Sequence, residues 1–483
     1  MPRSLRLSSS LIALCLVGCG AQRTPENAVL TAGALPNATP TAFAAGAAGD
    51  PGQVASGWLA SFNDPQLEKL VTEALVGNRD LAVMSARLDQ AAARARQAGA
   101  DLKPQVGFAA GASASGGGNA PNTDKMGAGL SMTWEIDVWG RMAAGLSAAE
   151  EQFASVAADT AFARESLAAQ VAKGWFLAIQ AVQQVDIVTK SAALQKRNAE
   201  LVAERERIGK ASALDVAQAR AAASASQDAV EQALSGRENA ARSLELLLGR
   251  YPAAELTIAA QLPALPPQPP AGLPSQLLER RPDLVAATRR VASAFNQVES
   301  AKAARLPRLA ITADGGAMSQ DFKSLSLSDA FWNVGANLMG PIFDGGRLKE
   351  QVVIETAKQQ EALALFGKAA LEAFRQVEQA LSESRRLVTR IDLLSAAEKD
   401  QVEAERLTQV RFEAGAIDQL ALVLIQERAL QARLARLAIQ VEGLTNRVNL
   451  HLALGGSFAA PPPTPDDLSP ASKAVEPAGK KAP

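Results

Sequence analysis

Residues 280–316 read RRPDLVAATRRVASAFNQVESAKAARLPRLAITADGG, and residues 78–111 read NRDLAVMSARLDQAAARARQAGADLKPQVGFAAG. Set side by side, Asp283-Leu284 falls on Asp80-Leu81 and Pro307 on Pro104, both at an offset of 203 residues. Further on, Gly346-Arg347 falls on Gly140-Arg141 and Gly415 on Gly209, both at an offset of 206. The order is kept and the offset drifts only by a short loop. One structural half of about 180–200 residues is therefore used twice, a unit far longer than a solenoid repeat.

Within each copy the apolar period changes. Residues 66–101 carry helical periodicity after Asn63-Asp64-Pro65, a cap with proline in the first turn. Beyond Pro104 the period becomes two. In 126–138, Met126, Leu130, Met132, Trp134, Ile136 and Val138 share one face, and Ser131, Thr133, Glu135 and Asp137 share the other. Residues 105–115 alternate more weakly, and GGGNAPNTDK at 116–125 reads as a turn-rich loop between the two strands. In the second copy, Leu309, Ile311 and Ala313 oppose Thr312 and Asp314, and Trp332, Val334 and Leu338 oppose Asn333 and Asn337. A one-sided sheet in a soluble protein and a membrane barrel both give this alternation.

After each strand pair comes a stretch compatible with one unbroken helix, from Arg141 to about Ile208 and from Arg347 to about Glu413. At 1.5 Å per residue each would reach roughly 100 Å. A glycine turn and a second helix follow, over 212–248 and 418–454. Leu430, Leu434, Leu437, Val441, Leu444 and Val448 keep four-three spacing, a seam between long helices that continues to His451, the only histidine. A packed or rim histidine accounts for it without a ligand. A Pro-rich linker at 251–274 joins a first repeat, 57–250, to a second, 275–456. The tail 457–483 has the composition of a disordered segment.

The chain opens with Arg3, Arg6 and the apolar run LIALCLVGC, too short to span a bilayer. Leu16-Val17-Gly18-Cys19 resembles the lipobox of bacterial lipoproteins; an ordinary signal peptide is the other possibility. The resemblance implies cleavage after residue 18, diacylglycerol on Cys19, a lipidated tether over 19–56, and, because Gly20 and not Asp follows, sorting to the outer membrane. Cys15, the other cysteine, lies in the removed segment. No later run of 18 apolar residues occurs, so a chain that crosses a membrane must do so as a closed β-barrel. Four strands cannot close one, because about eight is the practical minimum; three copies would supply twelve.

Composition excludes other classes. Net charge is −1 with interspersed signs, which gives nucleic acid no footprint. One histidine leaves no triad or zinc set, no GxxxxGK[ST] loop is present, and no metal or cofactor beyond a covalent lipid is expected. Catalysis is not expected. A structural lipoprotein with a trimeric coiled coil would explain the helices but not the duplicated strands.

Barrel strands joined to very long helices, duplicated in one lipidated chain, resemble the TolC-like outer-membrane factors. The nearest branch is the lipoproteins that serve resistance–nodulation–division efflux pumps. The motifs are GWLASFNDPQLEKLVTEALVGNRDL at 57–81, WEIDVWGR at 134–141, ERRPDLVAA at 279–287, PIFDGGR at 341–347 and FRQVEQAL at 374–381. The resemblance implies a mainly α fold with membrane β: a homotrimer with a twelve-stranded outer-membrane barrel above a twelve-helix periplasmic α-barrel. It further implies a passive exit duct for drugs or other small molecules, fed by a periplasmic adaptor and an inner-membrane pump. A type I, ABC-driven secretion outlet is the alternative.

Carried onto this chain, Gly140 and Asp344, Gly345 and Gly346 become strand-to-helix turns. Arg205, Gly209, Arg411 and Gly415 mark hairpin tips that meet the adaptor. Leu420 and Leu424, with Asp418 nearby, become the periplasmic constriction; Leu424 stands where relatives often carry Asp, which implies a more apolar closure. Glu135, Asp137 and Asp314 suggest either a cation-tolerant lumen or simply a solvated barrel wall.

Overall fold

The computed structural model describes residues 34–35, 42–46, 57–117, 120–319 and 330–456. Cys19 and the tail from 457 lie outside them. After a short 3-10 turn, helices α1 (Pro65–Gly77) and α2 (Arg79–Ala100) lead to strands β1 (Gln105–Gly117) and β2 (Ala120–Ile136). Helix α3 (Arg141–Arg207) then descends and α4 (Ala213–Leu248) returns. The second copy repeats the order with α5 (Pro274–Arg280), α6 (Pro282–Ala303), β3 (Arg308–Ser319), β4 (Ala330–Met339), α7 (Arg347–Glu413) and α8 (Gln419–Ala453).

Both long helices begin within a residue of the expected positions, because glycine sets their start. Gly140 (φ 73°) precedes α3 and Gly346 (φ 90°) precedes α7, in a region that other residues rarely adopt. The helical stretch expected over 66–101 is two helices. Asn78 breaks it: its side-chain oxygen accepts from the N–H groups of Asp80 and Leu81, and its amide donates to the Leu247 carbonyl. The cap sits at a tertiary contact, for Gly77 backs directly onto the Leu248 and Gly249 backbone.

The four strands form one antiparallel sheet in sequence order. The loop expected at 116–125 is a correction: β1 and β2 continue through most of it, with Ser113 opposite Lys125 and Ser115 opposite Thr123. Cross-strand pairing overrides the poor strand propensity of Gly, Asn and Pro there. The downstream end of β2 also differs, since it stops at Ile136 and leaves Asp137 and Val138 in the turn.

The main core lies where α1, α3, α4 and α8 meet, around Trp175, Phe62, Phe176, Leu244 and Val448. The Trp175 indole donates to Asp64, the carboxylate that also caps α1. The seam positions Leu437, Val441, Leu444, Val448 and His451 are buried. His451 stacks on Trp58 with ring centroids 5.7 Å apart, and burial lowers its pKa to about 4. The 251–273 linker packs Leu256, Ile258, Leu262 and Leu265 onto this core. No helix among the described residues is long and apolar enough to cross a membrane.

Candidate functional site: a duct wall and its tip

The sheet has two chemically distinct faces. Register places Val106, Met132, Ala313 and Val334 in one row, and Phe108, Leu130, Gly315 and Trp332 in the next. Phe108 is 71% exposed and Trp332 83%. The alternate rows hold Gly107, Ser131, Asp314 and Asn333, then Gln105, Thr133, Thr312 and Gly335. An exposed apolar face of this size, backed by a polar one, suits lipid outside and water inside. Among the described residues β1 and β4 each pair on one side only.

The three carboxylates assigned to the lumen separate. Asp314 stands on the polar face between Ser131 and Asn333. Glu135 is on the same face but forms an ion pair with Arg141 at 2.8 Å, so its charge is compensated. Asp137 is a correction: it lies past the strand end and accepts the Ala143 N–H at 2.7 Å, serving the first turn of α3. Asp344 does the equivalent work in the second copy. The N–H groups of Leu348 and Gly346 hold its carboxyl below the usual carboxylate range. The Trp139 indole donates to the Pro307 carbonyl and ties the first copy's turn to the start of β3.

At the far end, each long helix stops on a left-handed glycine, Gly209 (φ 72°) and Gly415 (φ 75°). In each hairpin the glycine and the next residue donate back to carbonyls of the last helical turn. Ser212 and Asp215 form a capping box for α4, and Asp418 caps α8 by accepting the Ala421 N–H. Asp418 is thus used in capping. Leu420 and Leu424, one turn apart on α8, are 56% and 46% exposed in the single chain. Arg411 is exposed, whereas Arg205 is not a free tip charge. It donates to the carbonyls of Phe412 and Glu413 at 2.6 and 3.0 Å and covers the Phe412 ring, joining the two hairpins.

Above the tip, sequence reasoning missed a cluster of amides. Gln195 and Asn198 of α3 donate to the Gln426 side chain of α8, and Gln426 donates to Gln409 of α7. Gln409 donates to Asn198 in turn. The signal was present as amides at core-facing positions in long helices, but pairing them required the three-dimensional arrangement. Among the described residues no group of side chains could hold a metal ion.

A four-stranded sheet with one lipid-compatible face, continuous with two hairpins of 100 Å class, defines an outer-membrane channel of the TolC type. The chain belongs to the outer membrane efflux protein family, whose model matches residues 70–250 and 273–456. It is 31% identical to the pyoverdine export outer membrane protein OpmQ of Pseudomonas putida, over 96% of this chain and 99% of that one. It is 30% identical to the toluene efflux pump outer membrane protein TtgC of the same species, over 95% and 96%. Among solved structures, the outer-membrane channel OprN superposes with a TM-score of 0.79 at 28% identity, covering 87% of this chain and 97% of that one. The Campylobacter jejuni CmeC outer membrane channel shares the fold, with a TM-score of 0.82 over 87% of this chain and 93% of that one. The protein is accordingly an outer-membrane efflux channel component.

Proposed function

We propose that three copies close into a twelve-stranded barrel and a twelve-helix periplasmic tunnel, and that the trimer is the passive exit duct of a tripartite efflux system. The sheet carries this reading: it has an apolar outer face, a polar inner face and two edges with no partner among the described residues. Closure by neighbouring copies removes those edges, as a barrel must. The helices support it too. Within the chain α7 packs chiefly on α6 and α8, whereas α3 is surrounded by α1, α2, α4, α6 and α8. α7 leaves Val353, Leu365, Val388, Leu393 and Val410 exposed, apolar surface available to a neighbouring copy.

In this reading a lipid on Cys19 anchors the chain to the outer membrane, and the hairpin tips around Gly209 and Gly415 meet a periplasmic adaptor. Leu420 and Leu424 form an apolar constriction on the three-fold axis. The relatives' names span pyoverdine, toluene and cations. This breadth favours a duct that accepts small molecules chosen by an inner-membrane resistance–nodulation–division pump. The purified protein in a planar bilayer tests it: cross-linking should stop at three chains, and Leu420→Ser/Leu424→Ser should raise the open fraction. A monomer without conductance would sink the duct, and a double variant that closes normally would sink the constriction.

A further inference from the structure

The inner face of the sheet is not polar throughout. Phe331 and Met318 stand on it, each 43% exposed. Phe331 ends the row Ala109, Gly129, Gly316, Phe331, and Met318 ends the neighbouring row Gly111, Gly127, Met318. From the Phe331 ring across to β1 is about 14 Å, three strand spacings, and no side chain on the way is larger than a methyl group. A groove of about 700 Å³ lies over this bare stretch, a volume typical of small-molecule sites. Its long side chains on β3 and β4 are Asp314, Met318, Phe331 and Asn333, all at inner-face positions.

The floor is held bare by strand pairing. A Cβ on Gly316 would stand 2.4 Å from the Ala128 carbonyl oxygen, and one on Gly129 would stand 3.0 Å from that of Gly315. Gly111 extends the floor for another reason. Within the chain nothing lies within 4 Å of a Cβ added there, so pairing with β2 does not ask for glycine. Glycine weakens a strand interior and often marks a surface that a ligand approaches closely. Asp314 adds a charge. Its cross-strand neighbours, Ser131 and Asn333, are not cations, and it sits diagonally from Phe331, about 7–8 Å away. Lys125 is three inner-face rows distant, about 20 Å.

We propose that this groove is a small-molecule subsite on the inner wall, for a planar aromatic ring system bearing a cationic group. The ring lies on the glycine floor against the Phe331 ring and the Met318 thioether, both of which favour an aromatic partner. The cation reaches Asp314 and also gains from the face of Phe331. The subsite rests on the exit-duct reading for its place along an export path, but not for its ability to bind.

Proflavine, a planar aromatic cation, is the probe, and fluorescence polarisation with the purified full-length protein in lipid nanodiscs is the assay. Binding should saturate. Phe331→Ser, and independently Ala109→Leu, which fills the floor and removes no aromatic group, should each weaken it about tenfold. Phe331→Tyr should preserve it, as should Trp332→Phe on the opposite face. Asp314→Asn should weaken proflavine and spare neutral 1-naphthol; equal effects on the two probes would overturn the role given to Asp314. Binding that does not saturate, or that Phe331→Ser and Ala109→Leu leave unchanged, overturns the subsite. Conductance of the same protein in a planar bilayer separates the failures. A conducting channel whose dye binding ignores Phe331 keeps the duct and loses the subsite. Phe331-dependent binding without conductance keeps the subsite and loses the export path.

Discussion

Gln426→Leu should destabilise the tunnel more than any surface change of equal size. Gln426 is 2% exposed and Asn198 1%. The substitution leaves the side-chain donors of Gln195 and Asn198 buried without an acceptor, where they now bond Gln426 at 2.9 and 3.3 Å. Each orphaned donor costs about 1–3 kcal/mol, and the half-buried Gln409 oxygen can rehydrate more cheaply. Leucine returns about 1–2 kcal/mol of apolar burial, so the net loss is about 2–3 kcal/mol per chain. Removing the donors as well, in Gln195→Leu/Asn198→Ala/Gln426→Leu, takes away the orphans and should recover about 2 kcal/mol despite fewer hydrogen bonds. Guanidinium unfolding of the detergent-solubilised trimer at fixed concentration, followed by helical circular dichroism, measures both. A triple variant no more stable than the single one would refute the reasoning, because simple loss of contacts predicts that order.

Three further outcomes follow from single positions. His451, whose pKa burial lowers to about 4, is neutral in the folded chain while the unfolded chain protonates near 6.5; its contribution is complete above pH 6.5 and is lost as pH falls toward 4. That loss amounts to about 3 kcal/mol, and His451→Leu should flatten the stability–pH slope across this window. Gly316→Ala places a Cβ 2.4 Å from the Ala128 carbonyl oxygen and 2.7 Å from the Gly129 Cα. Overpacking against backbone costs about 1–3 kcal/mol, so heat-modifiable trimer should fall. Arg205→Ala removes two bonds to helix-end carbonyls and a ring contact. About 1–2 kcal/mol of local stability should go, seen as faster hydrogen exchange across 410–416 with the β-sheet unaffected.

The architecture was legible because its determinants are local or periodic. Gly140, Gly346, Gly209 and Gly415 punctuate the long helices where only glycine suits the backbone, and the two-residue alternation sorts the sheet faces whatever the partner strand. Pairing was less legible. The Gly-Asn-Pro segment at 116–125 has turn chemistry, yet ladder bonds to the neighbouring strand hold most of it extended. The helix break at Asn78 joins a local cap to a bond with the Leu247 carbonyl of α4, distant in sequence. Among site residues, Asp137 misled because alternation does not say where a strand ends. Arg205 and Arg411 align in the duplication but diverge in use, since only the first reaches across to the other hairpin.

Covalent capture in intact cells tests the central claim most directly, with a tag on the C-terminal tail and mass spectrometry of the retained proteins. The exit-duct account predicts a periplasmic adaptor together with a proton-driven resistance–nodulation–division pump, cross-linked through the tips near Gly209 and Gly415. An ABC transporter in their place would move the protein to type I secretion, and recovery of neither would contradict the account.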